Sequence, residues 1–362
     1  ASPLPTDDMT DQWMTCSPDS VPYFSAVGYF FGKEIHEKTG VPIGLIQATW
    51  DSVPIEPWIP RGCLVSQDKL LSLLKTIEQT DSEYQIHLPA GLKEFESWIA
   101  QVRIALEKGS PLPKEPVWPG YPLYMEGQPS APGCLFNSMI HPITPYAVCG
   151  VTWYQGESNR GDGAEYFTKM KALIEGWRNS WAQGDFPFYF VQLTPLDFAY
   201  EGYQLPELWA AQTACLSIPN TGMAVTNDIG DPDTFHPRNK AEVGRRLALW
   251  ALAKHYGCTG LVYSGPLYRS MTRVGNKIRI HFIHIGSGLI SRDGKALTWF
   301  TIAGDDRKFL NAEAEIDGNT VVVWSSRVPI PSAVRFAWDN TAVPNLQNKE
   351  GLPASAFRTD NL

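Results

Sequence analysis

Residues 150–159 read G-V-T-W-Y-Q-G-E-S-N, and this stretch decides how the rest of the chain is interpreted. Its first half is β-branched and aromatic, which favours a buried strand. Its second half turns abruptly polar, with Gln155, Glu157, Ser158 and Asn159. A buried parallel strand that ends in polar side chains delivers them to the rim of an α/β sheet, where ligands usually bind. We therefore expect a functional site at the carboxyl end of this strand.

Strand and helix patterns alternate on both sides of this stretch. Apolar residues recur at helical spacing in some segments, while others are short apolar runs typical of buried strands. Such alternation predicts an α/β fold with a parallel sheet and helices on both faces. The predicted helices cover 24–38, 164–183, 206–217 and the stretch up to His255, and the predicted strands cover 41–49, 150–155, 186–193 and 222–226.

Two regions depart from this alternation. Two helical patterns within 61–109 predict a two-helix insertion, and seven prolines in 111–132 predict an irregular loop that forms a wall of the cleft. From Cys258 onward the apolar period changes to two, as in 277–282 and 320–324, which predicts antiparallel strands. We expect a core at 1–257, with a helical and Pro-rich insertion at 61–132, and a small C-terminal antiparallel β domain with a returning tail at 258–362.

Composition excludes several classes of protein. The net charge of −8 argues against nucleic-acid binding, and no apolar run reaches the length of about 18 residues that a membrane span needs. The six cysteines are scattered without a C-x-x-C pair. His281 and His284 fall on opposite faces of a strand. We therefore expect neither a metal nor a cofactor. The first residues lack the regions of a signal peptide, as expected of a mature or trimmed product.

His236 is the most informative histidine because Asp233 precedes it by three residues in a loop after a strand. In an ester hydrolase an imidazole takes the proton of a hydroxyl nucleophile, and a carboxylate orients that imidazole. A D-x-x-H loop supplies both groups on one short segment. The alternative is an ordinary loop with a surface histidine.

The polar end of the 150–159 stretch allows three interpretations. Ser158 could be a nucleophile on a strand-to-helix turn, or Gln155 could donate to an oxyanion while Glu157 organises the turn. In the third, these residues merely end a strand. Ser52 follows the predicted 41–49 strand and fits turn chemistry better than nucleophilic attack. We expect Trp153, Asn159 and Ser52 to contact the substrate.

Four stretches together resemble one known family. They read F-S-A-V-G-Y-F-F-G at 24–32, V-P-I-G-L-I at 41–46, W-Y-Q-G-E-S-N at 153–159, and D-I-G-D at 228–231 running into His236-Pro237. This combination resembles the sialate O-acetylesterase family of SGNH-type carbohydrate esterases, and the similarity covers nearly the whole chain.

The resemblance implies a flavodoxin-like sheet and hydrolysis of acetyl esters on sugars through a serine nucleophile. By that match His236 is the general base, Asp233 orients it, and Gln155 with Glu157 lies beside the oxyanion. It also implies an acetylated carbohydrate as substrate and a periplasmic or extracellular location.

Two departures from the family pattern concern the nucleophile. The family carries it in a G-Q-S-N-M segment before the 24–32 motif, and residues 1–23 contain no such segment. The family also has W-G-G-T where this chain has Trp50-Asp51-Ser52-Val53. Three explanations follow. The nucleophilic serine lies on an upstream segment or a second chain, or the protein is a non-catalytic glycan-binding or structural relative. In the third, Ser158 has taken over as the nucleophile. A lipase or thioesterase is a further alternative, although no apolar lid segment is evident.

Overall fold

A computed structural model describes residues 1–2, 4–64, 70–119, 124–125, 128–129, 131–197 and 202–360. The helices are α1 (Ala26–Thr39), α2 (Arg61–Leu64), α3 (Leu71–Lys108), α4 (Glu165–Trp181), α5 (Gln204–Ala214) and α6 (Lys240–Lys254). The strands are β1 (Tyr124–Met125), β2 (Gln128–Pro129), β3 (Val151–Trp153), β4 (Phe188–Val191), β5 (Thr221–Ala224), β6 (Leu267–Val274), β7 (Lys277–Ile283), β8 (Leu289–Ser291), β9 (Phe300–Ala303), β10 (Leu310–Asn311), β11 (Glu313–Asp317), β12 (Thr320–Trp324), β13 (Ala333–Phe336), β14 (Leu346–Asn348) and β15 (Phe357–Arg358).

A parallel sheet with the order β3-β4-β5 forms the centre of the first part of the chain. The side chains of β4 are all buried because they alternate between two helical layers. Phe188 and Phe190 belong to the same core as α4, whereas Tyr189 and Val191 pack with α1 and α6. The predicted α/β architecture with helices on both faces is confirmed.

Helices α1 and α6 approach each other closely at Gly244. A Cβ atom at this position would lie 2.8 Å from the backbone nitrogen of Phe31 and 2.8 Å from the carbonyl oxygen of Val27. Only glycine fits here without moving the backbone of α1. This contact places the amino-terminal end of α6, and the loop before it, relative to the sheet.

The predicted strand at 41–49 does not form in the structure. This segment has no regular structure, and among the described residues 42–54 make no backbone-to-backbone hydrogen bond. Ile43 and Leu45 nevertheless lie against α1, since a Cβ at Gly32 would be 3.4 Å and 3.0 Å from their side chains. A strand exists only when a neighbour pairs with it, and β3 pairs with β4 alone in the described part of the chain.

The insertion also differs from the prediction. Instead of two helices, the single 38-residue helix α3 carries both apolar patterns, with Pro89 inside it. The neighbouring residues 65–69 lie outside the described residues. In the predicted irregular loop at 111–132, residues 111–119 are without regular structure and β1 pairs with β2. The remainder of that loop, at 120–123, 126–127 and 130, lies outside the described residues. The prediction that the loop forms a wall of the cleft therefore stays a prediction.

The C-terminal region consists of antiparallel strands, as predicted. One sheet has the order β11-β12-β7-β6, a second has the order β10-β9-β13-β15, and β14 pairs with β8. In β7 the apolar residues Ile278, Ile280 and Phe282 are buried, which confirms the period of two. Among the described helices, none is long and apolar enough to cross a membrane.

Candidate functional site

The carboxyl ends of β3, β4 and β5 meet at one edge of the parallel sheet. Gln155 and Glu157 follow β3, and the loop that carries His236 follows β5. Because parallel strands place their carboxyl ends on the same side, the two predicted motifs come together here. Gly156 packs tightly at this edge: a Cβ would lie 2.9 Å from Leu193 beyond the end of β4.

The amide of Gln155 is held by protein groups on every side. Its nitrogen donates to the Val53 carbonyl at 3.2 Å and to the Asn159 side-chain oxygen at 2.8 Å. Its oxygen accepts from the Tyr166 hydroxyl at 3.0 Å. Donation to an oxyanion would require one of these hydrogen bonds to be exchanged, so that role stays a prediction.

Asn159 lies in the interior, with only 2% of its surface exposed. Its oxygen accepts from the Ile55 backbone nitrogen and from Gln155, both at 2.8 Å. Its nitrogen donates to Glu56 at 3.1 Å and to Asp162 at 2.8 Å. All four hydrogen-bonding positions of the amide are occupied. The structure therefore places Asn159 as a link between the 53–56 segment and the end of β3, away from any open surface.

Lys169 completes this network from α4. Its ammonium group lies 2.7 Å from a carboxylate oxygen of Glu56 and 2.7 Å from one of Asp162. Burial alone would lower the pKa of Lys169, but these two carboxylates outweigh it and raise the pKa. Lys169 was not predicted from the sequence. A lysine on the buried face of α4, beside Tyr166 and Met170, could have indicated a buried ion pair.

Glu157 lies half-buried in the turn that follows β3. Burial raises the pKa of its carboxyl group, and Lys240 and His236 partly oppose that rise. Lys240, the first residue of α6, also lies 5.0 Å from the centre of the Tyr154 ring. Glu157 and His236, predicted from separate motifs, are thus brought within electrostatic range. Lys240 was missed, and its position four residues after His236 was the available signal.

Asp233 and His236 are both exposed in their loop. The loop is held by local turns, in which the Asp233 backbone nitrogen donates to Asp231 and the His236 backbone nitrogen donates to Thr234, both at 3.1 Å. Between these two described residues there is no side-chain hydrogen bond or ion pair. The role of Asp233 as the orienting carboxylate stays a prediction.

The base of the histidine loop is fixed by Asp228, whose side chain is only 7% exposed. Arg246 of α6 binds both of its carboxylate oxygens, at 2.6 Å and 2.7 Å, and Arg292 donates to its carbonyl oxygen at 2.9 Å. Further along, a Cβ at Gly230 would lie 1.6 Å from the Thr194 hydroxyl oxygen, so only glycine fits there. These contacts hold the loop against the ends of β4 and β5.

The remaining predicted site residues have different surroundings. Trp153 is 8% exposed and packs edge-on against Trp58 and Trp177, with ring centres 6.0 Å apart in each pair, so it lies in the core. Ser158 is exposed on the turn beside Glu157. Ser52 is exposed with φ 59°, a left-handed conformation that favours glycine, and its hydroxyl donates to Asp51 at 3.1 Å. Substrate contact by these residues stays a prediction.

Neither the site nor any other described part of the chain contains a cluster of three or more His, Cys, Asp or Glu residues able to hold a metal ion. The polar groups that are present are an imidazole, a carboxylate, an ammonium and amides. These groups can move a proton and stabilise charge, which is the chemistry of acyl transfer.

Comparisons with known proteins agree with this fold. The model of a family described as carbohydrate esterase, sialic acid-specific acetylesterase, matches residues 128–253. Sialate O-acetylesterase of Rattus norvegicus is 30% identical over 339 residues, covering 87% of this chain and 59% of the relative. The protein of the same name from Homo sapiens is 28% identical over 366 residues, covering 92% of this chain and 60% of the relative. The chain thus spans about three fifths of these curated relatives.

A solved structure extends the comparison to the whole chain. The crystal structure of a novel carbohydrate acetylesterase from Xanthomonas citri aligns with a TM-score of 0.79 and 33% identity, covering 100% of this chain and 71% of that one. The fold and the site therefore define an α/β protein of the SGNH type with its polar groups at the carboxyl ends of the sheet. The chain belongs to the carbohydrate esterase family of sialic acid-specific acetylesterases.

Proposed function

We propose that this chain carries the proton-transfer half of a carbohydrate O-acetylesterase active site. The observation that supports this most is that the turn after β3, which carries Glu157, and the loop after β5, which carries His236, both lie at the carboxyl ends of the parallel sheet. A serine hydroxyl attacks the acetyl carbonyl while His236 takes its proton, and the imidazolium passes that proton to the departing sugar oxygen. Water then adds to the acyl-serine, releasing acetate and restoring the serine. The negative charge of Glu157 stabilises the imidazolium in both steps.

We further propose that the nucleophilic serine lies outside these 362 residues, on a strand that pairs with the free edge of β3. The 42–54 backbone supports this, because its N–H and C=O groups make no backbone-to-backbone hydrogen bond within the described part of the chain and so could pair with an added strand. So do the apolar side chains Val41, Ile46 and Trp50, which are 42%, 44% and 41% exposed. The carboxyl end of such a strand would lie at the same sheet edge as Gln155 and His236.

Activity measurements test this proposal directly. The chain alone, and the chain co-expressed with a segment containing G-Q-S-N-M, are incubated with p-nitrophenyl acetate and with a fluorophosphonate probe. We expect hydrolysis and labelling only with the added segment, and loss of hydrolysis by His236→Ala. Labelling of the chain alone that disappears in Ser158→Ala would assign the nucleophile to Ser158. No activity in any combination, with glycan binding retained, would favour the non-catalytic alternative.

The substrate class and location are proposed from the relatives. We propose acetylated sugars as substrates, including acetylated sialic acid, and a periplasmic or extracellular location. A series of p-nitrophenyl esters with longer acyl chains distinguishes this from a lipase or thioesterase, since an acetylesterase loses activity as the acyl chain grows.

A further inference from the structure

One side of α3 carries a regular row of exposed apolar residues. Leu92, Ile99 and Leu106 follow one another at intervals of seven residues, and they are 51%, 44% and 67% exposed. Residues seven apart lie on one side of a helix, so the three form a single row, called here the α3 stripe. Scattered single apolar residues are ordinary on a protein surface, whereas this spacing is the one by which helices pack against each other.

A neighbouring side of α3 is already covered by the chain itself. The segment 111–119 packs along the helix, where Nε1 of Trp98 donates to the Pro113 carbonyl oxygen at 3.1 Å. At Gly91 a Cβ atom would lie 2.5 Å from the Pro119 side chain. The segment therefore covers the side of α3 that holds Gly91 and Trp98, and it leaves the α3 stripe exposed.

The charged residues beside the α3 stripe are complementary to a second copy of the same surface. Glu96 lies three residues before Ile99 and Arg103 four residues after it, so both border the stripe. Both side chains are exposed, and neither forms an ion pair within the described part of the chain. A self-complementary surface of this kind suits a two-fold symmetric contact, in which each residue pair occurs twice.

The order of these residues selects the direction of such a contact. In an antiparallel pair with the two-fold axis at Ile99, Leu92 of one copy is level with Leu106 of the other, because both are seven residues from the axis. Glu96 of one copy and Arg103 of the other then lie within about 1.5 Å of each other along the helix axes. A parallel pair in register would instead place each of these charges beside its own copy, which is unfavourable.

We propose that the α3 stripe is the interface of a homodimer, formed by antiparallel packing of α3 from two copies of this chain around Ile99. The dimer is independent of the proposed function, since none of these residues belongs to that site. The stripe extends over about four helical turns. This is a small interface, so we expect a reversible dimer with a dissociation constant in the micromolar range.

Analytical ultracentrifugation of the full chain over a range of concentrations tests the dimer. We expect Glu96→Arg and Arg103→Glu each to weaken association about tenfold or more, because like charges then meet at two places. The two substitutions together exchange the charges and should restore association to within about threefold of the unmodified chain. Glu94→Arg is the matched control, since this exposed glutamate lies on the opposite side of α3 and its replacement should leave association unchanged. Circular dichroism verifies that each variant is folded.

Thiol cross-linking tests the position of the two-fold axis. Cys16 and Cys149, which are exposed, are first replaced by Ser. We expect a short bis-maleimide to join two copies of the Ile99→Cys variant, because the two thiols face each other at the axis. Gln101→Cys, which lies on the opposite side of the same helix, should remain uncoupled.

A chain that stays monomeric at its highest soluble concentration would overturn the proposal. So would a dimer that forms equally well with Glu96→Arg, or one that the double substitution fails to restore. Equal cross-linking at positions 99 and 101 would contradict the antiparallel contact. Ester hydrolysis enters none of these measurements, so loss of the esterase proposal would leave the dimer standing, and loss of the dimer would leave the esterase proposal standing.

Discussion

At the scale of single residues, the site depends on buried groups whose hydrogen bonds and ion pairs are all made within the protein. Asn159 has four hydrogen bonds and Lys169 has two close carboxylates, so neither is free to meet a ligand. Together they fix Gln155 and the 53–56 segment in one arrangement. The polar end of β3 is thus rigid on its inner side, while Glu157 and Ser158 on the outer side remain accessible.

Replacing Asn159 should strongly destabilise the protein. Asn159→Ala leaves the Ile55 nitrogen without its partner in the interior, and the Gln155 amide and two carboxylates each lose one of their hydrogen bonds. We expect the free energy of unfolding to fall by about 3 kcal/mol, because each buried group that loses its partner costs about 1 kcal/mol or more. Urea denaturation measures this. Ser158→Ala, at the exposed neighbour, should change it by less than about 0.5 kcal/mol, and an equally small effect at Asn159 would contradict the network.

Glu157 should lower stability at neutral pH. Burial raises its pKa in the folded protein, so ionisation is easier in the unfolded chain. The folded state is therefore favoured at low pH, and this contribution is lost as pH rises through the folded pKa. We expect Glu157→Gln to be more stable than the unmodified protein at pH 7 and to lose this advantage toward about pH 4. Thermal unfolding across this range checks the sign, with Glu175→Gln as an exposed control.

At the scale of elements, close contacts between helices set the position of the histidine loop. Gly244 illustrates this, because α6 approaches the backbone of α1 there. We expect Gly244→Ala to lower the free energy of unfolding by about 2–4 kcal/mol, since a methyl group would force the helices apart. Gly62→Ala is a suitable control, because no atom lies within 4 Å of a Cβ at that helical position. Equal effects of the two substitutions on urea denaturation would show that the helix contact is looser than described.

Local sequence pattern predicted most elements but not their partners. Alternation over 277–282 and 320–324 identified β7 and β12, because a sheet with one buried face needs that period. Sequence pattern also predicted a strand at 41–49, and this prediction was wrong. The segment is apolar, but a strand also requires a hydrogen-bonded neighbour, and none of the described strands pairs with it. The two apolar patterns within 61–109 predicted two helices, but α3 continues through Pro89, so both belong to one helix.

The sequence predicted which polar groups follow the strands, but not which residues contact them. Motifs identified His236, Gln155 and Glu157 and placed them at strand ends, which follows from local sequence. Lys240, Lys169 and Arg246 were missed because their roles depend on distant residues that only folding brings near. The interior positions of Asn159 and Trp153 were missed for the same reason: a polar or aromatic residue at a strand end does not reveal which way it faces.

At the scale of the whole molecule, the C-terminal β region holds the loops at the site edge. Asn227, next to the end of β5, donates to the Ala354 carbonyl at 2.9 Å. The Leu196 backbone nitrogen, after β4, donates to the Asn340 carbonyl at 2.8 Å. One continuous apolar core includes residues from both parts. The predicted boundary near residue 257 stays a prediction, but these contacts argue that neither part is independent.

Residues 1–257 expressed alone should therefore fail to fold cooperatively. Their separation from 258–362 would expose apolar surface and remove the partners of the loops after β4 and β5. Calorimetry of each part and of the intact chain measures this, and we expect a sharp transition only for the intact chain. Restored cooperativity after mixing the two parts would confirm that the contacts between them are responsible. A sharp transition of 1–257 alone would instead support two separate domains.

The 41–50 segment carries the exposed apolar side chains Val41, Ile46 and Trp50, and Trp13 lies over part of this segment. Its ring is 3.6 Å from a Cβ position on Gly44 and has its centre 6.2 Å from that of Tyr146, just before β3. An arriving strand must first displace this ring. Association would then proceed in two steps, and its observed rate would level off at high strand concentration, at the rate at which Trp13 departs. If the proposed strand docks along this segment, the Trp13 indole would therefore limit how fast it associates.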